Sequence, residues 1–276
     1  MKSRVALLMF LFFPFPPNVE ASFNHMPVGA RPVGMGLAFV AVADDPYAAA
    51  YNPAGLAFLN GAQLTTFYSR PFGLKELETT FLAGSFSRKR FAFGAAIQQF
   101  GFSKYRERMA VVAFAGRFGK RFAFGGSLFY AHLRISGYGD DGCPGLNLGY
   151  LFRFSKRWAF AGSILNAARA TLRRGKEALP QELNAGLRFL PAPNLLFSFQ
   201  ASRESGSPVS FRSGIEWKFL KQMVLRSGCM TAPARFTLGF GVILGRIQLD
   251  YAWASHVLLG STHQISVTVK SGLVFN

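Results

Sequence analysis

From Gly61 onward the chain repeats one phrase: about ten residues alternating between large apolar and small or polar side chains, then a turn. Successive side chains of an extended strand point to opposite faces, so this period gathers the large apolar groups on one side. Leu146, Leu148, Tyr150, Phe152 and Phe154 share one face, and Asn147, Gly149, Arg153 and Ser155 share the other. The same reading sets Phe211, Ile215 and Trp217 against Ser210, Arg212, Gly214 and Glu216. It also sets Leu249, Tyr251 and Trp253 against Gln248 and Asp250, and Val267 and Val269 against Thr268 and Lys270.

A soluble β-sandwich alternates in the same way, so period alone does not choose between water and lipid. Side-chain size does. The chain carries 31 Phe, is 15% aromatic and only 16% charged, more apolar surface than a soluble domain hides in one core. The polar faces are rich in Gly, Ala and Ser, as a crowded lumen requires. Phe91, Phe122, Trp158, Trp217 and Trp253 fall near strand ends, where aromatic rings favour a membrane interface. The fold class predicted is all-β, a transmembrane antiparallel β-barrel of about fourteen strands.

The strands are expected to begin near Gly61, Leu77, Arg90, Arg106, Arg121, Gly145, Arg157, Gln181, Asn194, Pro208, Gln222, Ala234, Arg246 and Thr262. Every second connection is tight, and those are read as periplasmic turns. The alternate set, which includes longer loops at 136–144 and 167–180, is read as external.

Lys2 and Arg4, the apolar run 5–15 and Val19-Glu20-Ala21 read as a cleaved signal peptide over residues 1–21. Residues 22–60 then form an N-terminal segment and 61–276 the barrel, in the cell outer membrane. Gly272-Leu273-Val274-Phe275-Asn276 approaches the aromatic-terminated last strand read by the barrel-assembly machinery, an expected partner. The net charge of +18 points to outer-membrane lipids and lipopolysaccharide rather than nucleic acid, since no helix-turn-helix, zinc-finger or single-strand-binding signature accompanies it. Two cysteines, Cys143 and Cys229, are too few for a disulfide framework, and a single bridge between them stays open.

The stretch 29–59 has a different texture, dense in Gly and Ala. Asp44 or Asp45 can cap a short helix with Pro46 at its first position, and Asn52-Pro53 ends it. Gly34-Met35-Gly36, Ala38-Phe39-Val40-Ala41, Ala43-Asp44-Asp45 and Asn52-Pro53-Ala54-Gly55-Leu56 resemble the hatch of the FadL-type outer-membrane transporters and of the related PorV/PorQ proteins. That resemblance implies a fourteen-stranded barrel plugged by residues 22–60, with Gly34, Gly36, Asp44, Asp45, Asn52, Pro53, Ala54 and Gly55 carrying the hatch. The short external connections are nearer the PorV side, which implies a secretion component rather than a channel.

His25, His132, His256 and His263 are scattered with no metal-ligand spacing, and neither Ser255-His256 nor His263 with Ser266 lies on one strand face. No metal, cofactor or enzymatic activity is expected. Arg153, Arg188, Arg212, Arg226 and Lys270 are assigned to the lumen with Glu182, Glu216 and Asp250, a basic excess that either holds Asp44 and Asp45 of the plug or selects anions. Two functions remain: a channel for small hydrophobic molecules, or a PorV-like secretion or assembly partner. The hatch motif favours the first.

Overall fold

The computed structural model describes residues 22–23, 27–174 and 176–271. The signal peptide, His25 and the C-terminal Gly272 to Asn276 lie outside the described residues.

Fourteen strands form one closed antiparallel sheet in sequence order. They are β1 Gly61–Ser69, β2 Thr79–Arg88, β3 Phe91–Gly101, β4 Tyr105–Phe118, β5 Phe122–Ile135, β6 Gly139–Phe152 and β7 Trp158–Leu165. The second half comprises β8 Glu182–Ala192, β9 Leu195–Glu204, β10 Ser210–Trp217, β11 Met223–Thr231, β12 Ala234–Leu244, β13 Ile247–His256 and β14 Gly260–Lys270. Pairing of β1 with β14, from Gln63↔Lys270 to Ser69↔Gln264, closes the ring. Closure removes both sheet edges, so every strand is hydrogen-bonded on two sides, a condition for crossing a bilayer.

The alternation sorts faces as the sequence period requires. On β10, Phe211, Ile215 and Trp217 are exposed while Ser210, Arg212 and Gly214 are buried. Val112, Leu128 and Ile97 are likewise exposed, at 68%, 67% and 59%, a surface that water solvates poorly and lipid solvates well. Ile215→Arg, near the middle of that face, is expected to cost about 2–4 kcal/mol of folding free energy in liposomes. Denaturant titration against the Ile215→Leu control measures it, and an unchanged midpoint would put the face outside lipid.

One boundary differs by six residues. The sequence places the sixth strand from Gly145 and an external loop over 136–144, whereas β6 starts at Gly139 and pairs with β5 to Ile135↔Gly139. Gly, Asp and Pro make 139–144 look like a loop, but β6 pairs with β7 only from Leu148↔Ile164 to Phe152↔Phe160. Over 139–147 its β7 side therefore resembles a sheet edge, where a proline's missing donor is tolerated. The 166–181 connection covers that side: Ala167 N–H donates to Leu146 O at 2.6 Å, Asn166 N–H to Asn147 Oδ1 at 2.8 Å, and the Arg174 N–H to Asp141 at 2.8 Å.

Candidate functional site

Residues 27–60 run as helix α1 Ala30–Gly34, helix α2 Ala48–Tyr51 and the 3₁₀ segment Pro53–Phe58. None of the three is long enough to be stable alone; they are held by the inner wall of the barrel. Phe39, Ala41, Val42, Ala48, Asn52, Ala54 and Leu56 are fully buried. On one side α1 packs against β11 to β14, and on the other the 3₁₀ segment packs against β2 to β6.

Small residues on the wall make this approach possible. A Cβ added at Gly125 would stand 2.5 Å from Ala54 N, and one at Gly149, Gly214 or Gly228 would strike Asn52 Oδ1, Met35 O or Gly36 N. Gly36 itself has φ +60° and lies against the β10–β11 backbone, beside Ser213 O and Cys229 N, so its place needs both a left-handed backbone and no side chain.

Wall side chains bond to the segment's backbone groups, among them Val40 N–H and Ala38 O, whose burial without a partner would be costly. Gln200 Oε1 accepts from Phe39 N–H and Val40 N–H, each at 2.9 Å. The Ser198 hydroxyl donates to Ala38 O at 2.5 Å, and Gly36 N–H donates to Thr237 Oγ1 at 3.1 Å. Asn52 joins several parts at once. Its amide donates to Val40 O at 2.9 Å and to Tyr150 O of β6 at 3.1 Å, and its Oδ1 accepts from Ala54 N–H at 3.2 Å. Pro53 at the first position of that turn, then Ala54 and Gly55, fit because little room is left; a Cβ on Gly55 would meet Ala43 O.

Asp44 and Asp45 meet a cation of their own segment. Arg31 Nη1 lies 2.6 Å from Asp44 and 2.9 Å from Asp45, while its Nε and Nη2 make a two-pronged contact with Glu216 of β10 at 2.7 and 2.9 Å. Glu216 also accepts from Arg226 Nε at 2.7 Å, and Arg226 Nη1 reaches Asp250 at 2.8 Å. Arg31 thus links the segment's two acids to an alternating chain of charges on β10, β11 and β13. Burial works against its charge, but Asp44, Glu216 and Asp45 outweigh burial and raise its pKa. For Asp45 burial is the larger influence: it pushes the carboxyl up to about 6, with Arg31 opposing and Asp44 assisting. Asp45 Oδ1 also accepts from Tyr47 N–H at 3.0 Å, which sets the turn into α2.

The remaining lumenal charges make no direct ion pair with Arg31, Glu216 or Arg226, although Gln248 Nε2 donates to Asp250. Arg212 pairs with Glu182 at 3.1 Å, Lys270 Nζ donates to Gln248 at 3.4 Å, and Arg188 is buried on β8. The Arg153 guanidinium lies 3.7 Å from the centre of the Phe58 ring at the short-turn end. Arg31, Gln200 and Ser198 are absent from the sequence-based site. The available signal for Arg31 is composition: it is the one Lys or Arg in residues 22–60, in a stretch with two adjacent acids.

Beyond the segment, toward the longer connections, lies a cavity of about 90 Å³. Phe23, Val28, Phe81, Phe100, Met109 and Phe129 supply apolar walls, with Leu179 and Pro180 from the 166–181 connection. At its edge Tyr105 Oη donates to Glu107 Oε1 at 2.5 Å, and the same oxygen accepts from Phe23 N–H at 3.1 Å.

Among the described residues no cluster of His, Cys, Asp and Glu could hold a metal ion. Cys143 and Cys229 are both free thiols. Ser255 Oγ bonds to the backbone of Phe236, and His256 Nδ1 accepts from Leu258 and Leu259 N–H, so the two do not act on each other.

No family model matches the chain, and no curated protein is similar to it in sequence. Solved structures are similar to it. The toluene transporter TbuX of Ralstonia pickettii matches with TM-score 0.65 and 15% identity, over 90% of this chain and 98% of that one. A Pseudomonas aeruginosa FadL homologue gives TM-score 0.63 and 13% identity over 88% and 98%. The Pseudomonas putida toluene transporter TodX gives 0.65 and 12% over 87% and 96%. At these identities the likeness is one of fold: the chain is a closed fourteen-stranded antiparallel barrel, similar in fold to these transporters and to the FadL homologue.

Proposed function

We propose that the chain is an outer-membrane channel for small hydrophobic molecules, with residues 27–60 acting as a hatch that keeps the lumen closed at rest. The apolar cavity between that segment and the 166–181 connection carries the reading. Aromatic and aliphatic side chains make up most of its lining, with a minority of polar ones, Glu107, Asn147 and Glu182 among them, a composition that suits a mainly apolar ligand. An apolar cavity of about 150 Å³ takes up benzene, so a ring-sized ligand enters this smaller space only as Phe23 or Val28 shifts. The toluene transporters among the fold neighbours favour the same ligand class.

Uptake of radiolabelled toluene, measured in cells whose outer membrane lacks another hydrocarbon channel, tests it. Expression is expected to raise the uptake rate, and Phe129→Asp to return it to background while the barrel still assembles. Background uptake with wild-type barrel present, and a second protein co-purifying in fixed ratio, would favour the secretion-partner role instead.

A further inference from the structure

Five of the six short connections at one end of the barrel, all but the β8–β9 turn Pro193-Asn194, share a chemistry that the lumen does not use. Phe118-Gly119-Lys120-Arg121-Phe122 and Phe154-Ser155-Lys156-Arg157-Trp158 follow one pattern, an aromatic ring on each side of a cationic tip. Arg88-Lys89-Arg90 between Phe86 and Phe91 is a third case. All these cations are exposed. The phenylalanine rings below them are exposed too, Phe118 at 64% and Phe91 at 55%, while Trp158 is half-buried, and rings pair: Phe118 with Phe122 at 6.2 Å, Phe154 with Trp158 at 6.3 Å. Lys218 and Lys221 stand beside the Trp217–Phe219 ring pair, at 5.8 Å, and Arg246 tips the β12–β13 turn. None of the six connections contains Asp or Glu.

The opposite end differs. Its cations are mixed with acids, as where Arg70 meets Glu78 at 3.3 Å and Arg134 lies 3.9 Å from Asp140. Lys104, in a connection without an acid, and Arg235, just beyond another, are single cations at that end; adjacent pairs of cations flanked by rings with no acid between them occur at the short-turn rim, directly beyond an outward-facing belt of rings.

We propose that this rim is a collar for anionic phospholipid headgroups: the rings fix its depth at the edge of the hydrocarbon, and the Lys and Arg tips clasp phosphates of the leaflet on that side. A bilayer suits the rim better than an acidic protein because the rings lie on the outward face, continuous with the lipid-facing strands. The inference is independent of what the lumen passes.

The full barrel, reconstituted in nanodiscs of mixed phosphatidylcholine and phosphatidylglycerol and then extracted in neutral detergent, is expected to retain phosphatidylglycerol enriched about fivefold or more over its share, since one cation near an anionic surface is worth about that factor. Added salt should weaken the enrichment. Replacing Lys120, Arg121, Lys156 and Arg157 by Gln should bring it close to the bulk ratio, whereas Gln at Lys104, Arg134, Arg173 and Arg174 on the other end should leave it in place. If the first variant does not assemble, Lys120→Gln with Arg121→Gln alone is expected to lose part of the enrichment. A wild-type protein with no enrichment, or a short-turn variant that keeps it, overturns the proposal. So does capture of polyglutamate by the solubilised barrel without phosphatidylglycerol preference, which would assign the rim to an acidic protein.

Discussion

Removal of residues 28–56 behind an intact signal peptide is expected to give a barrel that conducts ions far better than the full-length protein. Eight strands leave an interior that side chains can fill, and sixteen to eighteen leave an aqueous channel; fourteen lie between, and here the wall contributes Gly and Ala where the segment approaches. Gly125, Gly149, Gly214 and Gly228 reach nothing across the lumen once Ala54, Asn52, Met35 and Gly36 are gone. Planar-bilayer recordings decide it, with greater antibiotic sensitivity of the host as a second readout. If the shortened form assembles, resists unfolding on unheated gels and conducts no more than the full-length protein, residues 28–56 are not the closure.

Arg31→Met is expected to be the most damaging single change in the segment. It keeps an unbranched stem, removes the guanidinium, and leaves Asp44, Asp45 and one side of Glu216 without their shared cation. Breaking a buried ion pair by removing one partner costs about 3–5 kcal/mol, enough to shift the segment from docked to intermittently released. Asp45→Asn is expected to be mild, because burial already holds that carboxyl at a raised pKa of about 6, and an amide oxygen can still accept from Tyr47 N–H. The pH trend follows from the same shift. A carboxyl whose folded pKa lies above its unfolded value binds more protons when docked, so its contribution favours docking below about pH 6 and loses that advantage as pH rises through it. Protease access to residues 27–60 in the assembled barrel, followed across that range for wild type and both variants, measures the order. Equal access in wild type and Arg31→Met would remove Arg31 from any anchoring role.

The strands were legible because a barrel in lipid enforces a two-sided rule on each residue, apolar outward and small or polar inward, over nearly the whole length of β10, β13 and β14. Where β6 lacks a regular neighbour, that rule competes with turn-like composition, and the sequence reading of 139–144 fails there. The interior was less legible. Asp44, Asp45 and the lumenal cations are visible as charges, but which cation meets them depends on how a chain without long helices folds across the lumen. Proximity in space then favours Arg31, thirteen residues from Asp44 along the chain, over a wall arginine. Gln200 and Ser198 carry no sequence signature at all, since a polar residue facing a lumen looks the same whether it meets water or a backbone.

The glycines facing residues 34–56 also limit how this protein can be altered by drift or by design. Wall and filling fit as a cast fits its mould: a methyl group at Gly149 displaces Asn52, and one at Gly228 displaces Gly36. Neither part is a transferable module. An N-terminal segment transplanted from another barrel of the same strand count would meet bare wall where it is slimmer and collide where it is fuller, so exchange succeeds only when both surfaces are carried together.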